Sequence, residues 1–176
     1  MENKNLLELT LCDEEWPAVP ADHDREIVRA IVIDDEGSYY FVRIRRDDHF
    51  GKATLIETSG GGVEPGEDLC TAIRRELKEE LGAEVEVLCK IGVVSDYYNL
   101  IRRHNINHYY LCKVKSFGDT NMTEQEIEDF HMTTLRLSYE EALQEYEACR
   151  MSKLGRLIAN REVPVLRRAH EILSNG

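Results

Sequence analysis

Carboxylates are concentrated at helical spacing in the segment running from Glu67 to Glu80, where Glu76 directly follows Arg75 and Glu79 and Glu80 stand about one turn further on. On a helical wheel Leu69, Ala72, Ile73 and Leu77 share one side, the side expected to pack on the rest of the protein. Glu67, Thr71, Arg74 and Lys78 fall roughly opposite and are expected to face water. Glu76 and Glu80 break the pattern. They stand four residues apart, one above the other, and project along the Leu69/Ile73 stripe, with Glu79 at the rim of the same side. A glutamate pair in a helix is ordinarily a solvated helix former. Two stacked carboxylates turned toward an apolar face instead repel each other and lose hydration. A hard cation offsets both costs, and Mg²⁺ prefers a few carboxylates together with waters and phosphate oxygens.

The preceding stretch supplies more of such a site. Gly60-Gly61-Gly62 lets the backbone turn sharply and offers carbonyl oxygens, and Pro65-Gly66 closes the loop. Alone, a glycine-rich loop reads equally well as a tight turn. Leading into a helix with inward carboxylates, it describes a place where metal and diphosphate meet. The chemistry would be metal-assisted hydrolysis, in which an acidified water loses its proton to a carboxylate and attacks phosphorus in line.

From Gly61, five positions lead to Glu67 and seven more to Arg75-Glu76-Leu77-Lys78-Glu79-Glu80-Leu81-Gly82-Ala83. This resembles the Nudix box of the Nudix hydrolases, departing only at Ala83, where the family usually carries a larger aliphatic residue. The resemblance spans 23 of the 176 residues. It implies an α/β/α sandwich with a mixed β-sheet. It also implies Mg²⁺-dependent hydrolysis, with Mn²⁺ as a substitute, of a diphosphate bond in a nucleoside diphosphate linked to another group. The carbonyl of Gly61 and the side chains of Glu76, Glu79 and Glu80 would be metal ligands, with Glu76 or Glu80 near the attacking water. Arg75 would orient Glu76, and Glu67 would brace the loop–helix junction. The family often adds an acidic residue from a later loop. Of Glu124, Glu126 and Glu128 we select Glu126 as a further catalytic candidate; a solvated acidic turn is the plain alternative. A non-catalytic Nudix-fold nucleotide sensor is the competing function, and an isomerase on the same fold a third. All the box glutamates are retained, which favours the hydrolase. The absence of proline between Gly66 and Val163 weakens an ADP-ribose reading. Tyr97 and Tyr98 lie near a tyrosine that marks dinucleoside polyphosphate hydrolases, or are simply strand residues.

The elements that must position these groups interleave strands and helices, which indicates an α/β class. Strands are expected at Glu26–Asp35 and Tyr39–Arg46, joined by a turn at Asp35–Ser38, and at Ala53–Thr58, followed by the Ser59–Gly62 loop. The box helix is expected over Asp68–Leu81, with Gly82 as its stop. Strands at Glu84–Val94 and Asn107–Val114, an acidic loop at Thr123–Asp129 and a strand at Met132–Leu137 follow. Ser138 and Glu141 form a capping-box signature for a helix to Cys149, and two further helices are expected at Ser152–Ala159 and Val163–Leu173. The C-terminal helices either cover the sheet or form a homodimer contact. Arg46, ending the second strand, is a substrate-binding candidate for a phosphate or a base. His104 and His108 share a strand face and read as hydrogen-bonded histidines more readily than as a metal pair. Tyr110, Cys112 and Phe130 read as core.

Bulk properties narrow the partners. The length suits one domain over residues 1–176. A net charge of −12 repels nucleic acid, and the basic clusters at Arg43–Arg46 and Arg102–His104 suit only a few phosphates. No apolar run is long enough for a membrane span, and the N-terminal MENKNLLELTLCDEEW lacks a secretory signal, so a cytoplasmic location is expected. The 5 scattered cysteines form no Cys-x-x-Cys pair and should be free thiols.

Overall fold

A computed structural model describes residues 5–176; the first four residues of the segment read for a targeting signal lie outside the described residues. Strand β2 (His23–Ile33) and strand β3 (Tyr39–Asp48) form the expected hairpin. At its turn the Asp34 carboxylate accepts from the backbone N–H of Glu36 at 2.9 Å and of Ser38 at 3.0 Å, and Gly37 adopts φ 79°. The two strands pair only at Val32–Tyr40 and Ile33–Tyr39, and then part. Strand β4 (Gly51–Glu57) stays with β3, while β5 (Ser59–Gly62) crosses over to pair antiparallel with β2. The sheet therefore opens into a wedge, with Thr58 linking its two arms.

Strand β7 (Arg103–Phe117) runs parallel to β2, β6 (Ala83–Tyr98) antiparallel to β7, and β1 (Leu7–Leu11) parallel to β6. Strand β8 (Thr133–Leu137) pairs antiparallel with β3. Among the described residues these eight strands form one mixed sheet in the order β1-β6-β7-β2-β3-β4, with β5 and β8 off that path. On one face Ile31, Phe41, Tyr109 and Leu111 pack under helices α2 (Tyr139–Cys149) and α3 (Lys153–Ser174). On the other, Val28, Val32, Tyr40 and Val42 pack under α1 (Leu69–Leu81). The α/β/α sandwich with a mixed sheet is thus the observed architecture.

Helix α1 obeys the wheel within its own span. Ala72, Ile73 and Leu77 are buried, whereas Thr71, Arg74 and Lys78 are exposed. The Asp68 side chain caps its start by accepting from Thr71 N–H at 3.0 Å, and Gly82 ends it at φ 65°. Helix α2 begins with the expected Ser138–Glu141 capping box.

Several expectations need correction. Ser59–Gly62 is a strand, because β2 offers these glycines an edge to pair with once β3 has diverged. The acidic loop contains a π-helical turn over Gln125–Asp129. Strand β1 was unanticipated; its alternating LELTL half-buries three leucines against β6. The two C-terminal helices are one, α3, which passes through Pro164. Proline removes the bond to the carbonyl four residues earlier. That carbonyl belongs to Asn160, an exposed residue where water can replace the lost donor. The apolar stripe Leu154, Ile158, Val165 and Ala169 continues across the proline and holds the helix together. The five cysteines are free thiols, and among the described residues no helix is long and apolar enough to cross a membrane.

Candidate active site

Glu76 and Glu80 are buried, as their place on the stripe requires, and each is tied by one carboxylate oxygen only. Glu76 Oε1 accepts from Arg75 at 2.7 Å. Glu80 Oε2 accepts from the Ser59 hydroxyl and, at 3.0 Å, from the Gly60 N–H. The second oxygen of each makes no hydrogen bond among the described residues and is not sealed from solvent. Burial is the main force raising both carboxyls above their ordinary range, with Glu126 adding to it, and Glu80 is pushed up to about 8. Such groups call for a nearby cation.

Arg75 holds the assembly together. Its Nε and Nη2 each reach Glu67 at 2.9 Å, Nη2 donates to the Gly62 carbonyl at 3.1 Å, and Nη1 divides between Glu76 and, at 3.4 Å, Glu79. The paired guanidinium holds Glu67 below the usual carboxylate range. Glu67 therefore does not face water. It precedes the N-cap Asp68, so the wheel does not govern its direction, and its side chain is only 10% exposed. Glu79 lies at the rim with a side chain 37% exposed, turned along Arg75.

The three glycines of β5 are each required by a different neighbour. A Cβ on Gly60, at φ 151°, would collide with the Val28 carbonyl of β2. A Cβ on Gly61 would stand 2.5 Å from a Glu76 carboxylate oxygen, and one on Gly62 3.2 Å from the Arg25 guanidinium. Successive strand residues point to opposite faces. Bare Gly61 thus admits the acidic group on the α1 side, and bare Gly62 the basic group on the other.

The wedge encloses a cleft of about 420 Å³ that contains Glu76, Glu80 and Glu126 on one side and Arg25, Arg29 and Arg103 on the other. Glu126 accepts from Thr123 N–H at 2.6 Å and lines this cleft. Glu128 lines a larger neighbouring cavity of about 940 Å³, and Glu124 lines neither. Arg46 stands on the wall between the two cavities. Its guanidinium is bound to Asp48 and lies over the rings of Phe50 at 5.1 Å and Phe130 at 4.9 Å. Those contacts take up guanidinium surface that a stacked base would use. Phe130 is accordingly a half-buried wall residue, whereas Tyr110 and Cys112 are core.

The apex of the wedge is locked from α3 by residues that the sequence reading missed. Glu162 accepts from Thr58 N–H at 2.8 Å, Thr58 Oγ1 at 2.6 Å and Tyr146 OH at 2.6 Å. Burial would raise its carboxyl, but Arg161 and Arg29 hold it below the usual range. Arg161 donates to Tyr98 OH at 2.7 Å, Asp96 at 3.2 Å and Glu57 at 3.2 Å. Tyr98 is therefore a strand-end residue spent on Arg161, and Tyr97 stacks on His104. His104 bonds Asp24 and Ser95, and His108 bonds Glu26, so neither forms a metal pair.

The donors available to a hard cation are the Gly61 carbonyl and the carboxylates of Glu76, Glu80, Glu79 and Glu126. Among the described residues no three acidic, histidine or cysteine side chains converge as a ready coordination group, because Glu79 points along Arg75. Buried carboxylates with one oxygen each left unengaged nonetheless fit Mg²⁺ or a similar ion.

A model of the NUDIX domain matches residues 23–154. The nucleoside triphosphatase NudI of Enterobacter sp. (strain 638) is 40% identical over 58 residues, 32% of this chain and 39% of that protein. The chain thus spans about two fifths of the length of that curated relative. Among solved structures, a NUDIX hydrolase from Nitrosomonas europaea superposes with TM-score 0.65 at 17% identity, covering 85% of this chain and 90% of that one. The E. coli ORF135 protein gives 0.57 at 25% identity, over 86% and 92% of the respective chains. A MutT NUDIX hydrolase from Burkholderia pseudomallei gives 0.54 at 22%, over 68% and 86%. The family model reaches from β2 into the first turn of α3, well over half the chain, and the solved structures share the fold over most of it: the chain belongs to the Nudix hydrolase family.

Proposed function

We propose that the chain hydrolyses a diphosphate bond in a nucleoside diphosphate linked to another group, with Mg²⁺ as cofactor and Mn²⁺ able to replace it. The observation that carries this reading is the pair of half-tied carboxylates. Glu76 and Glu80 each have one oxygen fixed by protein donors and one left to the cleft. Glu76, Glu79, Glu80 and the Gly61 carbonyl would hold the cation. When bound, a divalent ion supplies charge neutralisation to the diphosphate and acidifies water.

This chain's residues do the rest. Arg75 fixes the rotamer of Glu76 and ties the loop to the helix through Glu67 and Gly62. Ser59 and Gly60 do the same for Glu80. Glu76 or Glu80 takes the proton of the attacking water through its unengaged oxygen, and Glu126 adds negative charge on the same wall. Arg46 contributes an edge contact to a phosphate. Water then displaces the leaving phosphate in line at phosphorus, without a covalent intermediate. The similarity to a protein named a nucleoside triphosphatase agrees with this reading.

A phosphate- and pyrophosphate-release assay over nucleoside triphosphates, dinucleoside polyphosphates, nucleotide sugars and ADP-ribose, with and without Mg²⁺, tests it. Metal-dependent turnover of at least one class is expected. Tight nucleotide binding with no turnover of any would establish the sensor instead.

A further inference from the structure

Arg25 and Arg103 stand in the cleft as cations without counter-ions. The other two cleft arginines are neutralised, Arg29 by Glu162 at 3.7 Å and Arg46 by Asp48. Among the described residues neither Arg25 nor Arg103 pairs with a carboxylate, in a chain with 34 acidic residues. On the parallel β2–β7 ladder His23 lies opposite Arg103 and Arg25 opposite Asn105, so the two arginines are diagonal neighbours on one sheet face.

Arg103 is oriented without being neutralised. Its Nε donates to Asn105 Oδ1 at 2.6 Å, and its guanidinium lies over the Tyr98 ring at 5.6 Å. Asn105 is buried, and its amide nitrogen has no hydrogen-bond partner. An aspartate there could hold the guanidinium in the same place and cancel its charge. The amide holds it and leaves the charge available. Burial, then the neighbouring charges of Arg25 and Arg29, press Arg103 below the ordinary arginine range, a cost that a bound anion relieves. Arg25 rests against bare Gly62, one residue from Gly61 and from the carboxylate wall.

We propose that Arg25 and Arg103 form an anion clamp for a phosphate beyond the bond that is cleaved. The substrate is then a nucleoside triphosphate or longer polyphosphate, not a diphosphate capped at both ends by uncharged groups. This deepens the hydrolase reading and rests on it. A doubly capped diphosphate brings only the anions that a carboxylate-held cation neutralises, and leaves both arginines unpaired. A terminal phosphate supplies the missing anion, in the bidentate geometry that guanidinium groups favour.

The test is calorimetric titration of inorganic tripolyphosphate and of pyrophosphate, with Mg²⁺ present, into wild type and into Arg103→Gln, Arg25→Gln and Asn105→Asp. Wild type should favour tripolyphosphate by about 10- to 100-fold, the worth of a charge-assisted hydrogen-bond pair. That preference should collapse in all three variants. Its loss in Asn105→Asp, where the guanidinium keeps its anchor, identifies charge as the cause. Thermal melting verifies folding; should a β7 variant not fold, Arg25→Gln on the exposed end of β2 carries the test. An undiminished preference in folded variants, or none in wild type, overturns the clamp. Turnover of a nucleoside triphosphate and a nucleotide sugar, measured in parallel, separates the two readings. Preference without turnover overturns the hydrolase reading alone, and turnover without preference overturns the clamp alone.

Discussion

Glu162 of α3 accepts both the backbone N–H and the hydroxyl of Thr58, so the point where the chain crosses from β4 to β5 is held by a carboxylate 104 residues away. The next two residues, Ser59 and Gly60, are those that hold Glu80. A helix with no recognisable chemical motif thereby fixes the position of a candidate catalytic carboxylate through three consecutive residues.

Glu162→Ala should therefore be costly. Removing one partner from a buried, hydrogen-bonded charge network typically costs roughly 3–5 kcal/mol, and here it leaves Arg29 and the Thr58 donors uncompensated. Urea unfolding should show a lower midpoint with little change in slope. A midpoint unchanged from wild type would mean that Thr58 is held by other means.

For the glutamates the expected order follows burial and tethering. Glu76→Gln and Glu80→Gln should each lower kcat by on the order of 10²–10⁴-fold, the usual worth of a positioned acid–base group, while circular dichroism stays unchanged. Glu79→Gln, at the solvated rim, should lose less. Near-wild-type turnover in the first two would remove the proposed function.

The two bare faces of β5 make opposite demands. Gly61→Ala forces the Glu76 carboxylate to move, so Mg²⁺ affinity should fall. Gly62→Ala meets only the flexible end of Arg25 at 3.2 Å, so Mg²⁺ affinity should hold while tripolyphosphate affinity drops. Metal and anion titrations of the two variants check this, and equal losses of metal affinity in both would refute the division of faces.

Acidity should couple to metal. The neutral form of Glu80 is favoured by burial, which pushes its pKa up to about 8, well above the ordinary carboxylate range. In metal-free protein the stability from that retained proton is full below the unfolded value and is lost as pH rises through about 8. A cation that binds the ionised carboxylate competes with this proton. Mg²⁺ should then raise the melting temperature more at mildly alkaline than at mildly acidic pH. The same increment at both would show that Glu80 does not take part in metal binding.

The α1 site was readable because its signal is local. Periodicity alone set Glu76 and Glu80 apart from their solvated neighbours, and Arg75 follows Glu67 at a fixed interval. Glu67 lies one residue before the cap, where the wheel does not govern a side chain. Arg161 was legible by the same wheel: it continues the Leu154–Ile158–Val165 stripe of α3, a charge among apolar positions. Helices bounded at Ser152–Ala159 and Val163–Leu173 leave Arg161 and Glu162 in the gap between them, whereas α3 is continuous. The strand character of Ser59–Gly62 had no local signal at all. It depends on β2 losing β3 as a neighbour, which is a property of the sheet. The Arg25–Arg103 diagonal likewise exists only once β2 and β7 are in register.

The short β2–β3 ladder has a mechanical consequence. Because only two residue pairs join the arms of the wedge, widening the cleft beyond them breaks no ladder between those strands. Resistance to widening falls on the Glu162–Thr58 latch and on the Arg161 contacts to Glu57 and Tyr98. Both belong to α3 beyond residue 154, outside the span matched by the family model. The aperture of the cleft thus depends on a clasp beyond the residues matched by the family model, and that same clasp leads into the two residues that hold Glu80.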